Sequence, residues 1–471
     1  MAGFLESLYP RFPVALQNLG ISLYGCYWRR QRLGSEFKKV VGEFRERDRW
    51  PVDRMRDYLN ATLQSVLRRA FDAPYYRETW TNAGIREADL REITVESLGR
   101  LPVLPKQDVR RSPTSFVPNR SRRPDRYRTY LTSGSTGTPI KAFFTRTSHQ
   151  RFAAARDVRS FGWAGTSILR PRAMIGGRLV VPKGIARPPF YRYNRAEKQV
   201  YFSAYHIAPA HIADYAEGFN RYRPEVVTGY AFSQFLIARM MRDQGLTLDY
   251  TPVAAVTSSE KLTAPMKDTI RKGWGCQAFS EYGCCENCGL GTECEHGSMH
   301  VHPDFGIIEI VDHDYNPVPP GVEGRILCTG LLSDVQFLVR YDIGDMAIWS
   351  EKTCPCGRDH LPVLEEITGR LEDVVVGLDG REMVRFHGIF VGLPYVLEGQ
   401  VVQEQIDEFR VRVVADDGFG SGQVQEIERR FEQRLGRVKV VVDRVDELER
   451  NARGKIRAVI SRLGRSETAN Q

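Results

Sequence analysis

The sequence predicts a two-domain α/β protein. A large N-terminal domain runs to residue 370 on mostly parallel sheets, with residues 1–115 mainly helical, and a small α+β domain occupies residues 371–471. A chain of 471 residues exceeds one ordinary core, which argues for two domains. Apolar periodicity of three and four dominates the first ~115 residues, and strand-like and helical runs then alternate. After Asp373 the pattern resets.

Along the chain, Phe12 to Trp28 is partly apolar but interrupted by Gln17 and Asn18, and it falls short of the ~20 residues a membrane span needs. With Arg29, Arg30 and Arg32 directly behind, it is a candidate for an amphipathic helix on a membrane surface, or for plain packing on the body of the protein. Met55 to Leu67 repeats its apolar positions as a helix does. Leu101-Pro102-Val103-Leu104-Pro105 closes the helical region. Glu225 to Gly229 then reads as strand, Phe232 to Met241 as helix, Val253 to Thr257 as strand and Ala264 to Lys272 as helix, the alternation of a parallel sheet with crossover helices. In the tail, strand candidates Phe409 to Val414 and Val438 to Val442 bracket a polar helix from Ser421 to Leu435.

Composition is that of a soluble globular protein, with 42% hydrophobic and 27% charged residues. The net charge of +9, from 67 basic against 58 acidic residues, suits phosphorylated partners such as nucleotides or coenzyme A, or an acidic carrier protein. No helix-turn-helix, zinc finger or aromatic-basic RNA-binding pattern accompanies it, which weighs against nucleic acid as a partner. No secretory pattern opens the chain, so the nine cysteines are expected as thiols or metal ligands in a reducing cytoplasm.

The most informative run is Tyr130-Leu131-Thr132-Ser133-Gly134-Ser135-Thr136-Gly137-Thr138-Pro139. Small residues in succession leave backbone N–H groups free to face an anion, and the hydroxyls add donors, so the loop suits phosphate. It is not a Walker loop. The Gly-Lys-Ser ending is missing, and the flanks Tyr130-Leu131 and Ile140 to Phe144 read as strands, which makes a strand-loop-strand flap over nucleotide phosphates. A Ser/Gly surface hairpin is the plainer reading of this segment alone.

Four further segments follow it: Ser280-Glu281-Tyr282-Gly283-Cys284-Cys285-Glu286, Arg340-Tyr341-Asp342-Ile343-Gly344-Asp345, Ile367-Thr368-Gly369-Arg370-Leu371-Glu372-Asp373 and Arg453-Gly454-Lys455. In order and approximate spacing the chain resembles the phenylacetate–CoA ligase-like branch of the acyl-adenylate-forming superfamily, nearest the members found in polysaccharide gene clusters. The resemblance implies ATP-dependent activation of a carboxylate to an acyl-adenylate, with release of pyrophosphate and acyl transfer to coenzyme A or another acceptor. It implies that Thr132, Ser133, Gly134, Ser135 and Gly137 cradle phosphate, with Thr136 at the reacting group. Glu286 would hold Mg2+ and Tyr282 would stack on adenine, flanked by Glu281 and Gly283. Asp345, expected at a strand end, would accept the ribose hydroxyls, and Arg370 would add a ribose or phosphate contact. Ser259 and Glu260 match the segment lining the adenine pocket in relatives, and Tyr205, His206 and Tyr230 match walls of the acyl pocket. Lys455, on the mobile small domain, would be the catalytic cation.

The resemblance also implies a structural Zn2+ held by Cys294, His300, Cys354 and Cys356. His296, Cys284, Cys285 and Cys288 are competing ligands, and reduced cysteines without metal are the plainer alternative. One departure bears on the acceptor. Val376-Gly377-Leu378-Asp379-Gly380-Arg381-Glu382-Met383 stands where many coenzyme A ligases of this branch carry an Arg-Gly-Val-Asn-Val-Phe-Pro-like stretch, which leaves coenzyme A, a carrier-protein thiol and an amine as acceptors. A zinc-containing nucleic-acid-binding protein is the reading from a different class, and carboxylate-dependent ATP–pyrophosphate exchange separates the two.

Overall fold

A computed structural model of the chain describes residues 9–121, 127–131, 139–182, 185, 187–260, 262, 264–367, 375–380, 382–383, 389–390, 393–415, 417–446, 448–449 and 459–463. Contacts divide it into two compact units, Met1–Tyr130 with Ala142–Gly369, and Leu131–Lys141 with Arg370–Gln471.

The first unit opens with helices α1 (Val14–Arg32), α2 (Ser35–Arg47), α3 (Val52–Phe71), α4 (Pro74–Asn82) and α5 (Lys106–Arg111). In α3 the apolar periodicity becomes a buried stripe of Met55, Leu59, Leu63, Val66, Leu67 and Ala70. Strands β1 (Arg128–Leu131) and β2 (Lys141–Phe144) pair as a two-stranded sheet, and α6 (Arg146–Arg156) follows. The Thr145 hydroxyl caps α6 by accepting from the Ser148 N–H at 3.1 Å.

The large sheet takes its strands in chain order from β3 (Arg172–Gly176), β4 (Tyr191–Asn194) and β5 (Gln199–Ser203). Helix α7 (Ile212–Tyr222), β6 (Val226–Tyr230), α8 (Ala231–Asp243), β7 (Ala254–Ser258), α9 (Ala264–Trp274) and β8 (Gln277–Gly283) come next. The series ends with β9 (Leu290–Glu293), β10 (Met299–Val301), β11 (Gly306–Val311), β12 (Glu323–Gly330), β13 (Tyr341–Trp349) and β14 (Val363–Ile367). The twelve strands lie in the order β11-β12-β13-β14-β10-β9-β8-β7-β6-β3-β5-β4.

The expectation of mostly parallel strands holds for β5-β3-β6-β7-β8 and no further. Helices α8 and α9 supply the crossovers between the parallel neighbours β6, β7 and β8, and α7 carries the chain from β5 to β6. From β8 to β11, and at the β4 edge, pairing is antiparallel, because the connections from β8 to β9 and from β9 to β10 are too short to hold a crossover helix. The parallel strands bury Ala173, Ile175, Val200, Phe202, Val227 and Ala255 against Phe219, Ile237, Ile270 and Trp274.

Gly229 sits inside β6 at a φ of +124°, and a Cβ built there would lie 1.9 Å from the Ile175 carbonyl oxygen on β3. Only a residue without a side chain fits. Gly229→Ala is therefore expected to lower the melting temperature by several degrees or to abolish soluble expression. Thermal unfolding of the variant within about 1 °C of the parent would show that β3 moves aside at little cost.

A π-helical turn, Asp157–Phe161, extends α6 and turns Arg159 into the core. The Arg159 guanidinium donates to Asp48 at 2.8 Å and to Asp304 at 3.0 Å, and Arg47 donates to the same Asp304 at 2.7 Å. Burial opposes ionisation of Asp304, but the two guanidinium groups hold its carboxyl below the usual carboxylate range. His302, bonded to Thr292 at 2.6 Å, is kept well below the ordinary histidine value by burial and by Arg159. This network ties α2 and the π turn to the segment after β10.

The second unit has the small hairpin β15 (Val375–Val376) and β16 (Glu382–Met383), then β17 (Val396–Gln403), β18 (Glu408–Ala415), α10 (Ser421–Leu435), β19 (Lys439–Arg444) and β20 (Val459–Ser461). The sheet order β19-β18-β17-β20 and the helix between β18 and β19 make the α+β arrangement expected of the tail. Ile427, Phe431 and Leu435 of α10 pack on Val401, Phe409, Val411 and Val413.

Candidate active site

In an open sheet, the carboxyl ends of parallel strands expose loops and backbone groups that regular pairing no longer consumes, so ligands bind there. Tyr205 follows β5, Tyr230 ends β6, Ser259 and Glu260 follow β7, and Glu281, Tyr282 and Gly283 end β8. Register fixes their neighbourhood, since Tyr230 lies opposite Ser258 and Ser258 opposite Glu281. Seven residues read from separate motifs thus lie along one edge of the parallel block. Ser259 takes a φ of +72°, an uncommon conformation for serine, at the point where the chain leaves the sheet.

Two tyrosine–carboxylate bonds cross from β8 and its loop to β13. The Tyr282 hydroxyl donates to Asp345 Oδ2 at 3.1 Å, and the Tyr341 hydroxyl donates to Glu286 Oε1 at 3.0 Å. Burial first, and the facing carboxylate second, raise both phenols well above their ordinary value, so both remain donors. Glu286 is buried. Among the described residues its hydrogen-bond partner is the neutral Tyr341 hydroxyl, which leaves lone pairs for a cation.

Asp345 lies inside β13, not at a strand end as its sequence context suggested. Gly344, at a φ of +80°, and a register shift against β12 between Arg325 and Leu327 re-aim the strand at this point. Arg340 braces the same strand, donating to the Leu101 carbonyl at 2.7 Å and pairing with Glu309 at 3.0 Å. Glu281 pairs with Arg156 of α6 at 2.7 Å, and Glu260 accepts the Phe232 N–H at the start of α8 at 2.9 Å. Tyr205 donates to the Gly177 carbonyl at 3.1 Å, and the Tyr230 hydroxyl also approaches Gly177. His206 is buried, bonded to Ser203 at 2.7 Å and stacked on Phe190 at 4.9 Å, a setting that fixes its ring.

Thr132, Ser133, Gly134, Ser135, Thr136, Gly137, Arg370 and Lys455 lie outside the described residues. Sequence reasoning passed over Tyr341 and Arg156. Tyr341 had a signal, because it stands four residues before Asp345 in the same motif. Arg156 had none, since only the fold brings α6 beneath β8.

The cysteine–histidine set forms a second cluster. Donor atoms of Cys294, His300, Cys354 and Cys356 all fall within 4.8 Å of one another. The Cys294 and Cys354 sulfurs are 3.6 Å apart, and Cys356 Sγ lies 3.3 Å from His300 Nε2. Tetrahedral zinc with bonds of about 2.0–2.3 Å needs donors about 3.5 Å apart, close to these two separations, so the donor set suits that ion. His300 Nδ1 faces the Leu361 carbonyl at 3.1 Å, the outer contact that orients a ligating imidazole. Burial raises the Cys294 thiol to about 11, whereas hydrogen bonds from Ser298, Cys356 and His300 outweigh burial at Cys354 and hold it at about 6. Of the competing candidates, His296 gives its backbone N–H to Cys294 Sγ at 3.4 Å, and Cys284 and Cys288 contact each other at 3.5 Å.

Residues 381–462 match the CapK C-terminal domain family. The chain is 25% identical to protein CapK of Staphylococcus aureus over 445 residues, covering 92% of this chain and 93% of that protein. It is 26% identical over 340 residues to phenylacetate-coenzyme A ligase of Thermus thermophilus, covering 69% and 72%. Among solved structures, 2-hydroxyisobutyryl-CoA ligase with 2-HIB-AMP and CoA superposes with a TM-score of 0.59 at 22% identity, over 88% of this chain and 91% of that one. The same ligase in its postadenylation state gives 0.56. In sequence the chain is similar to protein CapK and to phenylacetate-coenzyme A ligases, and in fold to 2-hydroxyisobutyryl-CoA ligase.

Proposed function

We propose that the chain activates a carboxylate with ATP and passes the acyl group to a thiol or amine acceptor. In the first step a carboxylate oxygen attacks the α-phosphorus and pyrophosphate leaves. In the second the acceptor's sulfur or nitrogen attacks the acyl carbon, AMP leaves, and the acceptor's proton goes to solvent or base. The observation that carries this reading is the pair of bonds Tyr282–Asp345 and Tyr341–Glu286 beside the carboxyl ends of the parallel strands. One carboxylate there suits ribose hydroxyls and the other a magnesium ion, while the Tyr282 ring offers a face to adenine.

Bound Mg2+ would neutralise phosphate charge as it develops, and Glu286 is its protein ligand in this reading. Tyr341 orients the Glu286 carboxylate, and Arg340 holds β13 in place for both carboxylates. The hydroxyls and N–H groups of Thr132 to Gly137 bind phosphate oxygens, with Thr136 nearest the reacting group, and Arg370 adds a contact to ribose or phosphate. Tyr205 and Tyr230, at the ends of neighbouring strands, flank the acyl group, and Cys294, His300, Cys354 and Cys356 hold zinc as a structural ion. Pyrophosphate release screened over aryl, fatty and hydroxy acids tests the activity, and a complete absence of carboxylate-dependent ATP–pyrophosphate exchange would remove it.

Lys455 carries the positive charge for the transition state. Lys455→Ala is expected to lose on the order of 10²-fold or more in adenylation rate with ATP binding kept, as happens when a transition-state donor is removed. Unchanged pyrophosphate release would rule the lysine out.

The acceptor reading rests on the hairpin of β15 and β16, where the coenzyme A stretch of relatives is replaced. Gln403 pins Val376, accepting its N–H at 2.9 Å and donating to its carbonyl at 2.6 Å, which supports a hairpin of fixed shape. Free coenzyme A is expected to be a poorer acceptor than a carrier-protein thiol or an amine. Turnover with each, once the acid is known, decides between them.

A further inference from the structure

Helix α1 is turned inside out relative to an ordinary surface helix. Its polar residues face the protein: Gln17 is buried and accepts from Arg192, Asn18 accepts the Tyr193 N–H at 2.9 Å, and Ser22 accepts the Arg195 N–H at 3.0 Å, all around the edge strand β4. Gly25 lets the helix approach so closely that a Cβ there would meet the Asn194 side chain at 2.2 Å. A row of its apolar residues faces outward. Phe12, just before the helix, and Leu16, Leu19 and Leu23, at helical spacings of three and four, together with Tyr24, leave 40% to 64% of their surface exposed. The Tyr9 hydroxyl donates to the Val180 carbonyl at 2.7 Å, next to a further exposed leucine, Leu179.

A contiguous exposed apolar stripe on an otherwise well-packed protein marks a surface that something covers. Charge indicates the occupant. No Asp or Glu stands between Glu6 and Glu36, no charged residue stands between Arg11 and Arg29, and Arg11, Arg29 and Arg30 are exposed at the two ends of the stripe. The exposed Tyr24 ring stands near the basic end, where amphipathic rings sit in an interface, and is braced edge-to-face at 5.9 Å by Trp28, which itself packs inward on Tyr130 and His149. An apolar stripe with arginines at its ends and no acid is the composition of a helix lying in the plane of an anionic bilayer surface. A second copy of the chain fits worse, because a two-fold contact through the stripe would set arginine ends against each other. No helix among the described residues is long and apolar enough to cross a membrane. We propose that α1 seats the protein on an anionic membrane surface, with Phe12, Leu16, Leu19 and Leu23 entering the headgroup–acyl boundary and Arg11 and Arg30 meeting lipid phosphates.

The test is co-sedimentation of the full chain with phosphatidylglycerol-containing vesicles and with phosphatidylcholine vesicles, at low and high salt. The parent protein is expected to pellet with the anionic vesicles, less so at high salt. L19E/L23E should weaken binding by about ten-fold or more with an unchanged melting temperature, because both leucines point away from the core. R11E/R30E should weaken it while leaving the apolar stripe intact, which keeps the proposal testable if the leucine variant misfolds. Parent protein that stays in the supernatant with both vesicle types overturns the proposal. So does a dimer that L19E/L23E dissociates in the absence of vesicle binding, and equal binding to both vesicle types overturns its anionic half.

Discussion

Replacing Glu286 by glutamine is expected to slow carboxylate-dependent ATP–pyrophosphate exchange by on the order of 10²-fold, with the melting temperature nearly unchanged. The carboxamide fills the same space and still accepts from Tyr341, whose hydroxyl lies 3.0 Å from Glu286 Oε1. What it removes is the negative charge that holds magnesium against the phosphates. The exchange rate should recover in part at high magnesium, since the lost interaction is with the ion. Tyr341→Phe should cost less, about ten-fold, because it only loosens the carboxylate's aim. Exchange at the parent rate in Glu286→Gln would take this glutamate out of the site, and with it the pairing that motivates the functional reading.

Stripping metal from the four-donor site, by chelation or by Cys356→Ser, is expected to lower the melting temperature by about 5 °C or more. Cys294 directly follows β9 and His300 lies within β10, whereas Cys354 and Cys356 lie between β13 and β14, so an ion there would cross-link segments far apart in the chain. The exchange rate of the molecules that stay folded should change little, because a four-ligand zinc has no open position for substrate. Metal analysis of purified protein should give one zinc per chain, and protein that contains none under non-chelating conditions would end this prediction.

Residue order carried the local elements. The periodicity of α3, the alternation through β6, α8, β7 and α9, and the pattern of the C-terminal sheet with α10 are consequences of near-neighbour spacing, which a linear pattern records. The motifs holding Tyr282, Glu286 and Asp345 were legible for the same reason, because each is a short run of unusual residue types. The antiparallel half of the large sheet was not legible, since pairing direction depends on which strands become neighbours. Nor was the bend at Gly344 that sets Asp345 inside β13, or the meeting of Arg156 with Glu281. The orientation of α1 makes the same point. Its composition showed a mixed apolar segment, but only packing against β4 decided that Gln17, Asn18 and Ser22 would turn inward and the leucines outward, because β4 offers backbone and arginine groups that must be hydrogen-bonded and the leucines cannot bond them.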